Sequence, residues 1–135
     1  MFKILAVLLV LGCAYHANSA PAPEEKYTDK YDNINVDDIL ASKRLLKSYL
    51  TCLLDKGICT PEASELKRLL PDALKTACSK CTEKQKVGAA KIVERVTTEY
   101  PAEWKELSLK WDPTGEYWAK YKPLIQEYMV AAKTA

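Results

Sequence analysis

The chain has 135 residues, with 20 Lys and Arg against 18 Asp and Glu and a net charge of +2 at pH 7. That length suits one small domain and not two. Acids and bases are interspersed along it, so no basic face is available to recruit nucleic acid or an anionic membrane.

The first predicted element is a leader. "MFKILAVLLVLGCAYHANSA" opens with Lys3, runs apolar from Ile4 to about Ala14 and then turns small and polar, the three-part shape of a secretory signal peptide. The apolar run is too short to span a bilayer as a mature helix. Ala17 and Ser19 fit the cleavage rule, so residues 1–19 are read as signal peptide, with a mature start near Ala20. The product is expected to be secreted and extracellular, without membrane insertion. Cleavage removes Cys13, which leaves four of the five cysteines, and it removes Phe2 and the sole histidine, His16. Loss of Lys3 lowers the net charge to +1. An even number of cysteines suits an oxidising compartment.

Residues 20–34 read as an extended N-terminal arm. Its first part, "APAPEEKYT" from Ala20 to Thr28, is rich in Pro and charge and is expected to be mobile. Asp32 and Asn33 read as turn and cap residues. From Asn35 the pattern is helical, and 35–135 is expected to form a single helical domain. Between Val36 and Leu54, Leu46, Tyr49, Leu50 and Leu53 recur at the spacing of one helix face, and Gly57 stops the helix. Thr60 as cap and Pro61 at the first helical position restart it. Leu66, Leu69, Leu70, Ala73, Leu74 and Ala77 give the next stripe, which Pro71 should break or kink. Thr82 and Gln85 form a T-x-x-Q capping box, followed by Ala89, Ile92, Val93, Val96 and Tyr100 at helical spacing. Pro101 opens a segment carrying Trp104, Leu107 and Trp111. "DPTG" at 112–115 is a turn, and Trp118, Tyr121, Ile125, Tyr128 and Met129 line a last helix that Pro123 bends. No stretch alternates with period two. The fold class is all-α, a bundle of about six helices.

The four mature cysteines, Cys52, Cys59, Cys78 and Cys81, are spaced C-x6-C-x18-C-x2-C. CxxC suits a redox dithiol, but that chemistry needs a strand-to-helix junction and no strand is legible. A four-thiolate zinc site fits an oxidising compartment poorly. Two disulfides are the structural reading, and four cysteines allow three pairings between which spacing does not choose.

Catalytic equipment is sparse. Without a mature histidine, Ser-His, Cys-His and His-zinc arrangements need a rarer base. The mature glycines are Gly57, Gly88 and Gly115, too few for a phosphate loop. Asp37 and Asp38 are neighbours that do not face each other on a helix, and acids near a helix start complement its dipole. Neither an enzyme nor any cofactor or metal is expected. A carrier needs only a concave apolar space with a few polar groups. Tyr49 and Trp104 lie on apolar faces and combine a large apolar body with a polar handle.

The cysteine spacing, the preceding "YTDKYDNINVDDIL", and the later "CTPEASELKRLLPDAL", "CTEKQK", Trp104 and "WDPTGEYW" together resemble the insect chemosensory protein family over nearly the whole mature chain. Trp111 is a mild departure, since the family often carries Tyr or Phe there. The resemblance implies sequential disulfides, Cys52–Cys59 and Cys78–Cys81, and a six-helix fold around an internal apolar channel. It also implies carriage of long-chain alcohols, esters, acids or pheromone- and odorant-like molecules. For the lining it points to Tyr31, Val36, Leu46, Tyr49, Leu66, Gln85, Val93 and Trp104. The expected partners are small hydrophobic molecules and a chemoreceptor or other protein, with the carrier acting as a monomer. The rival reading is a secreted helical interaction module in development or immunity. It would dock a protein partner through exposed Trp111, Tyr117 and Trp118, and a solid interior would favour it.

Overall fold

The computed structural model describes residues 25–134. The leader assigned to 1–19 and the first residues of the arm lie outside the described residues. Six helices follow one another: α1 (Val36–Ala41), α2 (Lys43–Leu53), α3 (Pro61–Thr76), α4 (Glu83–Glu99), α5 (Pro101–Trp111) and α6 (Glu116–Thr134). The fold is all-α, as expected. Helix α4 is central and packs against α6, α5 and α1, while α2 packs against α1 and α3.

Short polar side chains set the boundaries. Asn35 Oδ1 accepts the Asp37 N–H at 3.0 Å and opens α1. The single helix expected from Val36 to Leu54 is in fact two, because Ser42 leaves helical geometry (φ −105°, ψ 106°) and its hydroxyl accepts the Leu45 N–H at 3.2 Å. A serine side chain competes with the backbone for that donor, which is why such residues favour caps over helix interiors. Thr60 caps α3 with Pro61 in its first turn, and the Thr82–Gln85 capping box at α4 is complete in both directions. At the "DPTG" turn the Asp112 carboxylate accepts the N–H groups of Tyr117 at 3.2 Å and Trp118 at 2.8 Å, starting α6.

Pro71 does not break the stripe that carries it, and Pro123 likewise lies inside a continuing helix. Both rings sit on exposed faces, where water reaches the backbone carbonyl that a proline cannot serve. Helix α3 ends instead at Ala77, which is left-handed (φ 54°), as is Cys78 (φ 59°). Two consecutive L-residues in that region are uncommon, and the Cys78–Cys81 disulfide closes directly over them. The second bridge, Cys52–Cys59, ties the end of α2 to the approach of α3.

The described part of the arm is pinned rather than loose. The Tyr27 N–H donates to the Lys80 carbonyl at 2.8 Å and Lys26 Nζ to the Ser79 carbonyl at 2.8 Å, both within the small disulfide ring. The Tyr27 phenol donates to Asp72. Asp32 accepts from Thr82 Oγ1 at 2.8 Å and from Gln85 Nε2 at 3.0 Å.

The solid core is thin. Leu40, Leu46, Leu50 and Val96 form its buried centre, with Val36, Ile92, Tyr100, Trp104 and Leu107 packed around them. Gly88 allows α1 this close to α4, since a Cβ there would stand 3.1 Å from a Val36 methyl. Helix α3 fully buries only Ala63, and α5 and α6 bury no residue completely. Their apolar faces therefore border something other than a filled interior. Among the described residues no helix is long and apolar enough to cross a membrane.

Candidate functional site

The space those faces border is a cavity of about 300 Å³ between α2, α3, α4, α5 and α6. Its aliphatic wall comes from Leu66, Leu70 and Leu74 on α3, Val93 and Val96 on α4, and Leu124 and Ile125 on α6. Its aromatic wall comes from Trp104 and Trp111 on α5 and from Tyr117, Trp118, Tyr121 and Tyr128 on α6. Trp104 meets Trp118 edge to face at 5.0 Å, and Tyr117 stacks on Tyr121 at 6.0 Å. Leu50, Val96, Trp104 and Leu107 belong to both the solid core and the cavity wall, so filled and hollow parts share one partition.

Most polar groups in this lining are already engaged by the framework. Ser108 Oγ donates back to the Trp104 carbonyl at 2.8 Å, and Trp111 Nε1 donates to the Leu53 carbonyl at 3.2 Å. Asp112 holds the start of α6. The Tyr121 hydroxyl accepts the Ala77 N–H at 3.2 Å, and burial pushes its phenol above the usual tyrosine range. Lys86 pairs with Glu83 at 3.1 Å. That hydrogen bond, with the Tyr128 phenol beside it, holds the Lys86 ammonium above the usual lysine range. What remains is an apolar chamber with few free hydrogen-bonding groups. Such a chamber suits a hydrocarbon chain better than water.

Of the eight residues expected to line a channel, the structure brings three together here: Leu66, Val93 and Trp104. Leu46 is fully buried in the solid core and Val36 packs against that core beside Gly88. Gln85 spends both its Nε2 donors on Thr28 and Asp32 and its Oε1 on the Thr82 N–H. Tyr31 lies in the arm turn under the Lys30 ammonium, 5.3 Å from its ring. Tyr49 faces a separate, more polar recess of about 300 Å³ with Ile34, Asp38 and Glu62. Its hydroxyl donates to Glu62 at 3.4 Å, and burial, then Glu62, raises its pKa. Tyr121, Ile125 and Tyr128 share one helix face by their spacing, which does not by itself assign them to the site. The missing information was that α6 lies against α4, a long-range fact that helical spacing does not carry.

Trp111, Tyr117 and Trp118 do not form an outward aromatic patch. All three are half-buried and turned toward the cavity. The four cysteines of the described residues are joined as Cys52–Cys59 and Cys78–Cys81, each with Cα atoms 5.0 Å apart, so none of these four stands as a free thiolate to ligate zinc.

Known proteins share this arrangement. "Allergen Tha p 1" of Thaumetopoea pityocampa is 50% identical over 119 residues, which is 88% of this chain and 94% of that protein. A solved chemosensory protein in complex with bromo-dodecanol is 50% identical with a TM-score of 0.68, covering 73% of this chain and 98% of that one. The antennal chemosensory protein A6 of the moth Mamestra brassicae is 48% identical with a TM-score of 0.61, covering 75% of this chain and 94% of that one. The model of the insect pheromone-binding family, A10/OS-D, matches residues 27–119, from the docked tyrosine of the arm into the first turn of α6. By cysteine framework, helix order and sequence, the chain belongs to the insect pheromone-binding family A10/OS-D.

Proposed function

We propose that the chain is a secreted monomeric carrier that holds one small, elongated hydrophobic molecule in the cavity between α3, α4, α5 and α6. Long-chain alcohols, esters and acids of pheromone or odorant type are the ligand class, and a chemoreceptor or another protein receives the cargo. The observation that carries this reading is the hollow: the apolar stripes of α3 and α6 face each other across open space instead of interlocking. The relative solved with bromo-dodecanol is half identical to this chain, and its ligand is of the proposed class. Leu66, Val93 and Trp104 are proposed as direct contacts.

The energetics suit the role. Burial contributes about 0.8 kcal/mol per methylene, less the cost of ordering the chain. Micromolar affinity, about −8 kcal/mol, is within reach of a long chain without a strong polar anchor. The same arithmetic makes such a carrier tolerant, since one methylene discriminates weakly. The interaction-module reading loses its main support, because the three rings it needed on the surface turn inward. A carboxylate-only enzyme would need two carboxyl groups driven apart in pKa by burial, and the described residues include no buried charged side chain.

The test is displacement of a fluorescent apolar probe from oxidised mature protein by straight-chain alcohols of increasing length. Saturable displacement that strengthens with length is expected. A probe that never enters, or competition indifferent to chain length, would overturn the carrier reading.

A further inference from the structure

We infer that the cavity has a chemically distinct end at Lys86 and Tyr128, which receives the head of a long-chain carboxylate while its tail runs along α4 toward Val96. The inference rests on the carrier reading and adds a ligand orientation and a preferred headgroup to it.

Helix α4 turns Lys86, Ala89, Ala90, Val93 and Val96 toward the cavity, a continuous stripe at helical spacing. It is apolar throughout except at its first member. The ten steps from Lys86 to Val96 rise about 15 Å at 1.5 Å per residue, which runs alongside most of an extended fatty chain laid parallel to the helix. Lys86 is not an ordinary surface lysine: its side chain is only 19% exposed, whereas that of its partner Glu83 is 78% exposed. The four-carbon stem is thus laid along the wall, and the ion pair with Glu83 is of the solvated kind that contributes little.

The ammonium has three donors. Glu83 takes one, and Tyr128, reaching over from α6, stands beside it as a second polar group. The other charged side chain in the lining, Asp112, is committed to the backbone of α6. An incoming carboxylate therefore meets one available positive charge and a phenol. Lys86 also lies in the first turn of α4, where the helix dipole disfavours a cation. A residue that breaks a local rule without gaining a buried partner is where a functional role is expected, and here the dipole and the lysine attract an anion together.

The test uses the oxidised mature protein and a hexadecanoic acid, alcohol and methyl ester set, each displacing the same fluorescent probe near neutral pH. Wild type is expected to prefer the acid over the alcohol and the ester by about fivefold, the scale of one partly solvated charge-assisted hydrogen bond. In Lys86→Met the preference should fall within about twofold while alcohol and ester affinity holds, and Lys86→Arg should restore it. Lys84→Met, two residues away and outside the cavity lining, should leave it intact. Equal binding of all three ligands by wild type overturns the inference whatever the variants do. An acid preference that survives Lys86→Met in a folded protein also overturns it, and Lys86 is then only a stem along the wall. If no ligand displaces the probe at all, the carrier reading itself has failed, an outcome distinct from lost headgroup selectivity.

Discussion

Trp104 does two jobs at once: it closes the solid core and walls the cavity, held edge to face by Trp118. Trp104→Ala is expected to cost about 2–3 kcal/mol in a thermal or denaturant melt, less than a fully buried tryptophan would. It should also weaken binding of a long-chain alcohol up to about tenfold, the scale of one aromatic contact. A folded variant with unchanged affinity would remove Trp104 from the proposed contacts. At the far side of α3, the Tyr27 hydroxyl, and after it Lys80, hold the Asp72 carboxyl below the usual carboxylate range. A depressed acid favours the docked state above the ordinary carboxylate pKa and loses that effect as pH falls through its lowered value. The protection factor of the Tyr27 amide, its exchange rate corrected for the intrinsic pH dependence of amide exchange, should therefore be high at neutral pH and fall in acid, and Asp72→Asn should flatten that dependence. Equal protection across the range would show that the carboxylate does not hold the arm. Such assignments mark the limit of reading residues from a one-dimensional pattern. Leu66, Val93 and Trp104 were legible as inward-facing, but so were Leu46 and Val36, and periodicity does not distinguish a position in solid core from one beside a hollow.

At the scale of elements the sequence was more informative, because caps are local chemistry. Thr60, Thr82 with Gln85, and the "DPTG" turn all act where short-range rules put them. The exceptions are instructive. Ser42 lies within the Val36–Leu54 span read as one helix, ahead of the Leu46–Leu53 stripe, and its hydroxyl accepts the Leu45 N–H at the boundary. Ser42→Ala should cost about 1 kcal/mol, the worth of an N-cap, read as a lower melting temperature with far-UV helicity retained. No change would mean that tertiary packing, not the cap, sets the break. The composition of residues 20–28 is that of a mobile linker, and the anchored residues here are the described ones, Lys26 and Tyr27. These two bind carbonyls of the Cys78–Cys81 ring, contacts too far apart in sequence to be anticipated. Replacing Cys78 and Cys81 by Ser should leave the bundle folded but about 2 kcal/mol less stable, the loop-closure effect of so small a ring, and should speed amide exchange at Tyr27. Complete unfolding would mean that the core is weaker than its packing suggests.

On the scale of the whole molecule, both covalent ties are local. One spans seven positions and the other three; neither links α6 to anything. That last helix rests on α4 through side chains around the cavity, with Tyr121 hydrogen-bonded to the Ala77 N–H. A hollow bounded on one side by an untethered helix ties occupancy to folding. Ligand that binds only the folded chain stabilises it by mass action, about 2.7 kcal/mol at a hundredfold excess over Kd. The loaded protein should thus melt measurably higher than the empty one, by an amount that tracks affinity along a chain-length series. A melting temperature indifferent to saturating ligand would mean that the ligand sits somewhere other than this interior.

The same coupling gives the molecule a lifetime that depends on its errand. Degradation of a small domain follows the fraction of time it spends open when reclosing is fast. An empty carrier opens more often than a full one, so proteases are expected to cleave unloaded copies first. A missing clamp on α6 then acts as a clock, with turnover beginning at unloading.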